Sequence, residues 1–380
     1  MHEHKHNQCR RKVKHRKNVM KLIIFCITVG ISLMFIYYQN LRKEIDARQK
    51  WLETVLTGEK KWILENQGPE GEFYMNGSKA GDVNPYFACM AALGLLAETK
   101  NCPMTETEKK AVGRYLDWHT GILLETDGKM GIYRKESGKL IYKEKADSED
   151  GYLGMYLFLM GKYLEKTEST DLPEYWKKGI SLALKKIQSL MQDGITQVSE
   201  ENTTVYLMDN LEVWKGLYEL EHAGLKDMPV VSEMRKKLQA QIEKLFWDDA
   251  NQRWRIIENS DLYHQKEFYP DGVAQIYPLI YEFPVKEKKK QKILYEQFTE
   301  RFQWQKLNKK RNGFLWAMTG MAAAQMGDIN NLLEMIRNYE TEYCENRKYP
   351  LYTGEAGWIC MECEKLYSLY ERKIKTGFLV

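Results

Sequence analysis

The sequence is constrained most by an alternation between two kinds of helical segment along its length. One kind, found at the odd-numbered positions, is amphipathic and has a single apolar stripe, as in PVVSEMRKKLQAQIEKLF. Such helices expose one face to water. Hydrophobic periodicity predicts twelve segments, near 45–66, 84–99, 105–122, 148–165, 173–191, 204–223, 229–246, 270–282, 286–304, 313–326, 328–343 and 355–372.

The even-numbered segments are apolar on nearly every side, as in GYLGMYLFLMGKYL and GFLWAMTGMAAAQM. A helix of this kind is buried on every side, and these segments are too short and too interrupted to cross a membrane. Alternating outer and inner helices, six of each, describe six helical hairpins closed into a ring. We therefore predict an all-α fold, an (α/α)6 toroid whose inner helices run parallel, so that their N-terminal ends share one face.

A different segment precedes the helical hairpins. Residues 22–38, LIIFCITVGISLMFIYY, carry no charge and are just long enough to cross a bilayer core of roughly 30 Å. Residues 1–21 hold eight Lys/Arg and one acid, which favours a cytoplasmic N-terminus, and no small-residue cleavage site follows. We predict a basic cytoplasmic tail (1–21), an uncleaved transmembrane anchor (22–38), a juxtamembrane helix or linker (39–50) and an extracytoplasmic barrel (51–380). The protein would cross the cell membrane once.

Charge and cysteine content exclude several functions. The formal charge is +4, but the tail carries +7, so the remainder carries about −3, which argues against a nucleic-acid partner. Cys360 and Cys363 form a CxxC inside a predicted helix, with no second pair to complete a zinc site. We interpret the cysteines as packing residues, with a redox role as the alternative. No metal or cofactor is predicted.

The start of each inner segment carries unusual chemistry. Five of the six starts have an acid, and most have an aromatic neighbour, so closing the ring would produce one acidic, aromatic-lined pit. Capping of the helix N-terminus, which contributes about 0.5–2 kcal/mol, is the alternative explanation for each acid. It fits Asp82 and Glu355 well but fits Asp209 poorly, because Asp209 lies several positions inside an apolar helix.

Such a pit suits a sugar, since aromatic rings stack on a pyranose and carboxylates accept its hydroxyl hydrogens. Glycoside hydrolysis needs two carboxyl groups, and burial beside other acids keeps one of them protonated. We predict an acid/base pair of Asp209 with Asp150 or Asp147, and Asp271 as an alternate base or sugar contact. The predicted substrate-binding residues are Asp82, Tyr86, Tyr152, Tyr206, Asn210, Trp214, Tyr269, Trp316, Glu355 and Trp358.

The runs YLDWHTGILLETDGKMGIYR, DSEDGYLGMYLFLMGKYLEKT, YLMDNLEVWKGL and FYPDGVAQIYPLIY resemble the six-hairpin glycosidase superfamily, over roughly residues 50–372. The resemblance implies an α/α toroid and marks as site residues Asp147, Asp150, Asp209, Asn210 and Asp271. The sequence departs from family-eight glycosidases at the second segment. Those enzymes have a glutamate there as general acid, whereas this chain has Asp82 followed by VNPY.

Three functions remain open at this stage. The first is a membrane-anchored glycoside hydrolase that acts on a cell-wall or exported polysaccharide, with either stereochemical outcome. The second is a non-catalytic toroid that binds glycan or serves as a scaffold in polysaccharide synthesis or export machinery. The third is a lyase or an unsaturated-uronide hydrolase, which would require basic residues in the pit, and the nearby candidates are His119, Arg134, Lys143 and Lys145.

Overall fold

The computed structural model describes residues 2–77, 81–136, 139–169, 171–225, 229–260, 267–307, 311 and 313–375. The chain divides into two compact units, Met1–Leu52 with Arg372–Val380, and Glu53–Glu371. The described residues contain twelve α-helices: α1 (His2–Glu65), α2 (Pro85–Leu95), α3 (Glu106–Glu125), α4 (Glu149–Thr167), α5 (Glu174–Leu190), α6 (Leu207–His222), α7 (Pro229–Phe246), α8 (Val273–Ile280), α9 (Lys288–Phe302), α10 (Thr319–Met326), α11 (Ile329–Tyr339) and α12 (Thr353–Lys375).

The even-numbered helices form a closed inner ring. Helix α4 packs against α2 and α6, and α8 packs against α6 and α10. Helix α12 completes the ring, because its Glu362 contacts Gly320 of α10 and its Gly357 contacts α2. The amphipathic helices pack outside, with α3, α7, α9 and α11 next to α2, α6, α8 and α10. The predicted (α/α)6 toroid is confirmed.

Glycines permit the close packing of the inner helices. A Cβ atom on Gly154 of α4 would lie 2.7 Å from the backbone nitrogen of Val213 in α6, and one on Gly216 would lie 2.3 Å from the carbonyl oxygen of Gly154. Where α12 meets α2, a Cβ on Gly357 would lie 2.1 Å from the carbonyl oxygen of Met90. Backbone lies against backbone at these points, so a side chain cannot be accommodated without a shift.

We expect Gly357→Ala to destabilise the barrel by about 1–3 kcal/mol, because the methyl group forces α12 away from α2. The matched control is Gly121→Ala in α3, where a Cβ would meet no atom within 4 Å. That substitution should raise stability slightly, since alanine has the higher helix propensity. Urea unfolding of both variants checks the difference, and equal stabilities would contradict this account of the helix contact.

Short strands lie in the loops that precede inner helices. Strands β1 (Asp82–Val83), β2 (Gly131–Glu136) and β3 (Lys139–Lys145) form an antiparallel sheet in which Asp82 pairs with Arg134. Two small hairpins follow, β4 (Met191–Gln192) with β5 (Ile195–Thr196) and β6 (Trp247–Asp248) with β7 (Arg253–Trp254). These loops therefore lie at the end of the barrel where the inner helices begin.

Among the residues that the structure describes, one helical stretch near the N-terminus, Met20–Glu65, is long and apolar enough to cross a membrane by length and composition. Its apolar side chains from Leu22 to Tyr37 are largely exposed, as expected for a surface that lipid would cover. The predicted domain limits, 1–21, 22–38, 39–50 and 51–380, stay predictions.

Buried cysteines support the packing interpretation. Cys360 and Cys363 are free thiols without any exposed surface. Burial raises the pKa of both thiols well above its usual value, and it raises the pKa of Cys89 to about 12. Because the thiolate is the reactive form, these three residues are poorly suited to redox chemistry.

Candidate active site

The beginnings of all six inner helices meet at one cavity of about 280 Å³, which we call the aromatic cavity. Each inner helix contributes at least one side chain from its first turns or from the residues just before it. The lining is formed by Asn84, Tyr86, Phe87 and Met90 (α2), Asp147, Ser148 and Tyr152 (α4), Met208, Asp209 and Glu212 (α6), Tyr269 and Tyr277 (α8), Phe314, Trp316 and Met318 (before α10), and Glu355 and Trp358 (α12).

A second cavity of about 510 Å³, the adjoining cavity, shares a wall with the first. The residues common to both are Asp147, Ser148, Met208, Asp209 and Tyr269. The remaining lining residues are Asn202, Tyr206, Ile256, Ile257, Ser260, Glu267, Pro270 and Asp271. Asp147 and Asp209 therefore lie where the two cavities meet.

The two aspartates at the start of α4, Asp147 and Asp150, lie in different environments. Ser148 is the N-cap and accepts a hydrogen bond from the backbone N–H of Gly151 at 3.2 Å. Asp147, just before the cap, is exposed at the cavity wall. Asp150 is completely buried and lines neither cavity. Because serine supplies the cap, neither aspartate is needed for that purpose.

The Asp150 carboxyl group is surrounded by hydrogen-bond donors. Its Oδ1 accepts from Ser148 Oγ at 2.7 Å and from the Gly151 N–H at 2.9 Å, and its Oδ2 lies 2.7 Å from Thr196 Oγ1. Burial raises the pKa of Asp150 to about 6, against the opposing effect of the Thr196 and Ser148 hydrogen bonds. The catalytic role predicted for Asp150 stays a prediction, and its position favours an indirect one.

Asp209, in the first turn of α6, is a cavity-lining acid close to two other carboxyl groups, those of Asp150 and Glu212. Burial, followed by the negative charges of Asp150 and Glu212, raises the pKa of Asp209 well above its usual value. The side chain still borders both cavities. A carboxyl group held protonated beside an open cavity can serve as a general acid.

Glu212 lies one turn further along α6 and forms the floor of the aromatic cavity. Its Oε1 accepts hydrogen bonds from three tyrosine hydroxyls, Tyr86, Tyr277 at 2.6 Å and Tyr281 at 3.3 Å. Burial raises the pKa of Glu212 to about 7, although the tyrosine hydrogen bonds oppose the shift. Its Oε2 lies beside Gly151, where a Cβ atom would come within 2.7 Å.

Glu355 shapes the wall that carries Trp316. Its two carboxyl oxygens accept the backbone N–H groups of Leu315, Trp316 and Ala317 at 2.9–3.1 Å. Trp316 adopts a positive φ of 58°, and its indole N–H donates to the carbonyl of Arg311. Burial raises the pKa of Glu355 to about 7. Glu355 thus holds a neighbouring turn in place and positions the Trp316 ring at the cavity.

Aromatic rings pack in pairs around the aromatic cavity. Tyr269 and Trp316 have ring centroids 4.8 Å apart, and Tyr86 and Tyr152 have centroids 5.6 Å apart. Tyr269 is 40% exposed, which leaves part of its ring available to a ligand. Of the predicted site residues, Tyr86, Tyr152, Tyr269, Trp316 and Trp358 line the aromatic cavity, and Tyr206 and Asp271 line the adjoining cavity. Their roles stay predictions.

Three predicted binding residues lie away from both cavities. Asp82 is bound by Arg134 at 2.7 Å and Lys143 at 2.9 Å, which keeps its pKa below the usual value. Asn210 is fully buried and bonds the backbone of Thr196, and Trp214 is buried against Tyr218 and Phe283. All three side chains make structural contacts within the barrel, and their binding roles stay predictions.

The basic residues required by the uronide hypothesis also lie outside the cavities, where they form ion pairs or are buried. Lys145 pairs with Glu149 and Glu201, and Arg134 and Lys143 pair with Asp82. His119 is buried, and burial lowers its pKa to about 3, so it is neutral. None of these four residues lines either cavity.

Sequence reasoning did not select several lining residues, namely Phe87, Met90, Glu212, Tyr277 and Phe314. The spacing of Asp209 and Glu212, three residues apart on one helix, was a usable signal because such residues share a face. Nothing local to Tyr277 indicates that its hydroxyl bonds a glutamate 65 residues earlier.

No protein-family model and no curated protein matches this chain. Solved structures do match its fold. A structure described as a wild-type glycosidase has a TM-score of 0.60 at 12% identity, covering 86% of this chain and 98% of that chain. A D-mannose isomerase has a TM-score of 0.56 at 12% identity, covering 84% and 97%.

A third structure is an inactive variant of the α-1,6-mannanase of Salegentibacter sp. HEL1_6 in complex with α-1,6-mannotetrose. Its TM-score is 0.52 at 10% identity, with 84% of this chain and 99% of that chain covered. At these identities the matches show the fold alone.

Proposed function

We propose that this protein is a glycoside hydrolase that acts on an oligo- or polysaccharide, with Asp209 as the general acid. The observation that carries the proposal is the meeting of all six inner-helix beginnings at a cavity that holds Asp209 among aromatic rings. Burial and the neighbouring carboxylates raise the pKa of Asp209, which favours the protonated form that a general acid needs.

Asp147 is the proposed partner of Asp209. It borders the same two cavities, and its exposed position gives water access to its carboxylate. A hydrolase needs one carboxyl group to protonate the leaving oxygen and a second carboxylate to activate water or attack the sugar. Asp209 and Asp147 would fill these roles at the junction of the cavities, with no stereochemical outcome assigned.

The shared wall of the two cavities supports a substrate of more than one sugar unit. Sugar on one side of the scissile bond would occupy the aromatic cavity, against Tyr269 and Trp316, and sugar on the other side would occupy the adjoining cavity, against Tyr206. Asp209 would then lie beside the bond between them. The solved relative that holds α-1,6-mannotetrose has the same fold and supports this class of ligand.

We further propose that the barrel lies outside the cytoplasm, tethered by the apolar helix. Its support is the uncharged segment 22–38 with the basic residues 1–21 before it. Cell-wall or exported polysaccharide would be the accessible substrate, and polysaccharide export machinery on the same side of the membrane would be the partner.

A non-catalytic, glycan-binding scaffold is the second candidate, and one observation favours it. At the start of α2, the first inner helix, where the resemblance places a glutamate as general acid in family-eight enzymes, Asp82 is held in ion pairs outside both cavities. A protein that uses the same cavity only to bind sugar would not need an acid at that position.

The deciding experiment measures binding and turnover separately. The full-length protein in detergent is incubated with a panel of neutral and amino-sugar oligosaccharides and polysaccharides, binding is measured by calorimetry, and new reducing ends are counted. The hydrolase proposal expects both signals for at least one glycan. Binding without any new reducing ends would support the scaffold, and the absence of both would contradict the two candidates.

A further inference from the structure

Glu212, at the floor of the aromatic cavity, has one carboxyl oxygen that is fully bonded and one that is not. The side chain is only 3% exposed, and its Oε1 accepts the hydroxyls of Tyr86, Tyr277 and Tyr281. Among the residues that the structure describes, none bonds to Oε2. Oε2 keeps some accessible surface, and because Glu212 lines the aromatic cavity, a ligand there can reach this oxygen.

Two other buried glutamates of the barrel have a cation beside them. Glu108 pairs with Lys60 at 3.2 Å, and Glu219 pairs with Lys215 at 2.8 Å. Glu212 forms no ion pair with any residue that the structure describes, since tyrosine hydroxyls are its bonded neighbours. A buried carboxylate without a counter-charge is costly. A ligand that carries a positive charge would therefore stabilise the ionised form of Glu212.

Both cavities are lined by acids, and no Lys, Arg or His is found in the described part of their lining. The acids are Asp147, Asp209, Glu212 and Glu355 in the aromatic cavity, and Asp147, Asp209, Glu267 and Asp271 in the adjoining cavity. A negative potential in such a cleft attracts a cationic ligand and repels an anionic one. The lining therefore disfavours a uronate sugar and favours a sugar with a positive charge.

The tyrosines beside Glu212 make the cavity floor rich in hydrogen-bond acceptors. Tyr86 and Tyr277 each donate their single hydroxyl hydrogen to Oε1, so their oxygens, 3.4 Å apart, remain available as acceptors. With Oε2 of Glu212 the floor offers up to three acceptors. An ammonium group has three N–H donors and no acceptor, whereas a hydroxyl has one hydrogen. The rings of Tyr86 and Tyr152 also line the cavity, and aromatic faces attract a cation.

We propose that Glu212 binds the ammonium group of an amino sugar at the floor of the aromatic cavity. The ionised Oε2 accepts one N–H of the ammonium group, and the hydroxyl oxygens of Tyr86 and Tyr277 accept the others. The inference rests on the proposed function and deepens it, because it names the substrate class as a glycan with free amino groups. Glu212 is the specificity-determining residue that distinguishes an amine from a hydroxyl or an acetamido group.

Titratable groups surround Glu212 on several neighbouring elements. They are Tyr86 of α2, Asp150 and Tyr152 of α4, Asp209 of α6, and Tyr269, Tyr277 and Tyr281 in or next to α8, while Asp147 and Glu355 line the same cavity. Burial raises the pKa of Tyr86, Tyr277 and Tyr281 well above its usual value, so these hydroxyls keep their hydrogens. Burial raises the pKa of Glu212 to about 7, so its carboxylate is lost as pH falls below 7.

The test compares sugars that differ only in the group at one carbon. The probes are the methyl glycosides of glucosamine, galactosamine and mannosamine, each with its N-acetylated and its 2-hydroxy counterpart. Binding to the full-length protein in detergent is measured by calorimetry at pH 7. For at least one configuration the amine should bind about tenfold more tightly than both counterparts, as one charge-assisted hydrogen bond would give. No amine binding, or no amine preference in any configuration, overturns the proposal.

Two substitutions locate the origin of the preference. Glu212→Gln keeps an acceptor oxygen for the tyrosine hydroxyls but removes the charge, so the amine preference should fall to about one. Asp147→Asn is the matched comparison, because it removes an exposed carboxylate from the same cavity. Most of the preference should remain in this variant, since water and salt screen an exposed charge. Equal losses in the two variants would show a diffuse negative potential and overturn the role of Glu212.

A second readout uses only the wild type and does not depend on how the variants fold. With a pKa of about 7, the ionised fraction of Glu212 falls from one half at pH 7 to about one hundredth at pH 5. The affinity for the amine should therefore fall by about 10–50-fold over this range, while that for the 2-hydroxy counterpart changes much less. An amine affinity that does not change between pH 7 and pH 5 contradicts the proposal.

These measurements separate the inference from the proposed function. Cleavage of a neutral glycan together with no amine preference would keep the hydrolase proposal and remove the role of Glu212. An amine preference that Glu212→Gln abolishes, with no glycan cleaved, would keep the role of Glu212 in binding and remove the hydrolase proposal.

Discussion

Asp209→Asn is expected to reduce glycan turnover by about 10²–10⁴-fold, the range that general acid catalysis contributes. Asparagine has nearly the same shape as aspartate but cannot deliver a proton to the leaving oxygen. The substitution leaves the aromatic rings that would bind sugar unchanged, so the dissociation constant should change little. Initial rates of reducing-end formation, with calorimetric binding of the same glycan, separate these two effects.

The matched control for this experiment is Asp82→Asn. Asp82 is also an aspartate at the start of an inner helix, but its carboxylate is bound by Arg134 and Lys143 outside both cavities. We expect turnover close to wild type, because the lost ion pairs are partly exposed and contribute little. A large loss in Asp82→Asn with an active Asp209→Asn would transfer the general-acid role to Asp82 and contradict our assignment.

The fold was predictable because it depends on patterns that each segment displays by itself. An amphipathic helix such as α7 must face water on one side, and an all-apolar helix such as α4 cannot. Their strict alternation leaves a closed ring of hairpins as the simplest way to bury every inner helix. The same logic placed the six inner-helix beginnings at one cavity, which the structure confirms.

The roles of individual acids were less predictable, because they depend on partners distant in sequence. Within DSED, the sequence does not show that serine caps α4, that Asp147 is exposed and that Asp150 is buried. The cations that bind Asp82 come from a hairpin and lie 52 and 61 residues later in the sequence. Trp214 belongs to a helix that is apolar on all sides, so periodicity cannot distinguish a cavity-facing ring from a packed one.

Glu355 is another acid whose partners could not be predicted from the sequence, although its position suggests a helix cap. An acid in the first turn of a helix usually stabilises the N-terminus of its own helix. Here the carboxylate accepts three N–H groups from residues 315–317, which belong to the chain segment before α10. Its contribution to the site is therefore indirect, through the position of Trp316, and only the tertiary structure shows it.

Stability should fall as pH rises from about 4.5 to about 7, and this is the second large effect that we expect. Glu212 and Glu355 have pKa values raised to about 7, and Asp150 to about 6, chiefly by burial. In the folded state these groups bind protons that the unfolded chain has already released, so folding is favoured at the lower pH. Each glutamate shifted from 4.5 to about 7 carries a penalty of about 3 kcal/mol when ionised.

Groups with lowered pKa values reduce the stability of the folded protein on the acidic side. Glu282 has a pKa lowered to about 2, because Lys215 and Lys365 outweigh its burial, so its contribution is present above the unfolded pKa and is lost as pH falls. Thermal unfolding of the full-length protein between pH 4 and pH 8 should therefore show a maximum near pH 4.5–5. The loss of stability at pH values above that maximum is caused by the buried acids with raised pKa values.

The substitution Glu212→Gln tests how much of the loss of stability at higher pH is due to Glu212. Glutamine keeps the acceptor oxygen for the hydroxyls of Tyr86 and Tyr277 but cannot ionise, so the loss of stability between pH 5 and pH 8 should become smaller by about 3 kcal/mol. Glu174→Gln, on the exposed surface of α5, is the control and should keep the wild-type slope. An unchanged slope in Glu212→Gln would mean that the buried carboxyl group is already ionised with its tyrosine partners. The acidic floor of the cavity would then bind sugar hydroxyls as a charged acceptor at every pH tested, and Asp209 would owe its proton more to that charge than to burial.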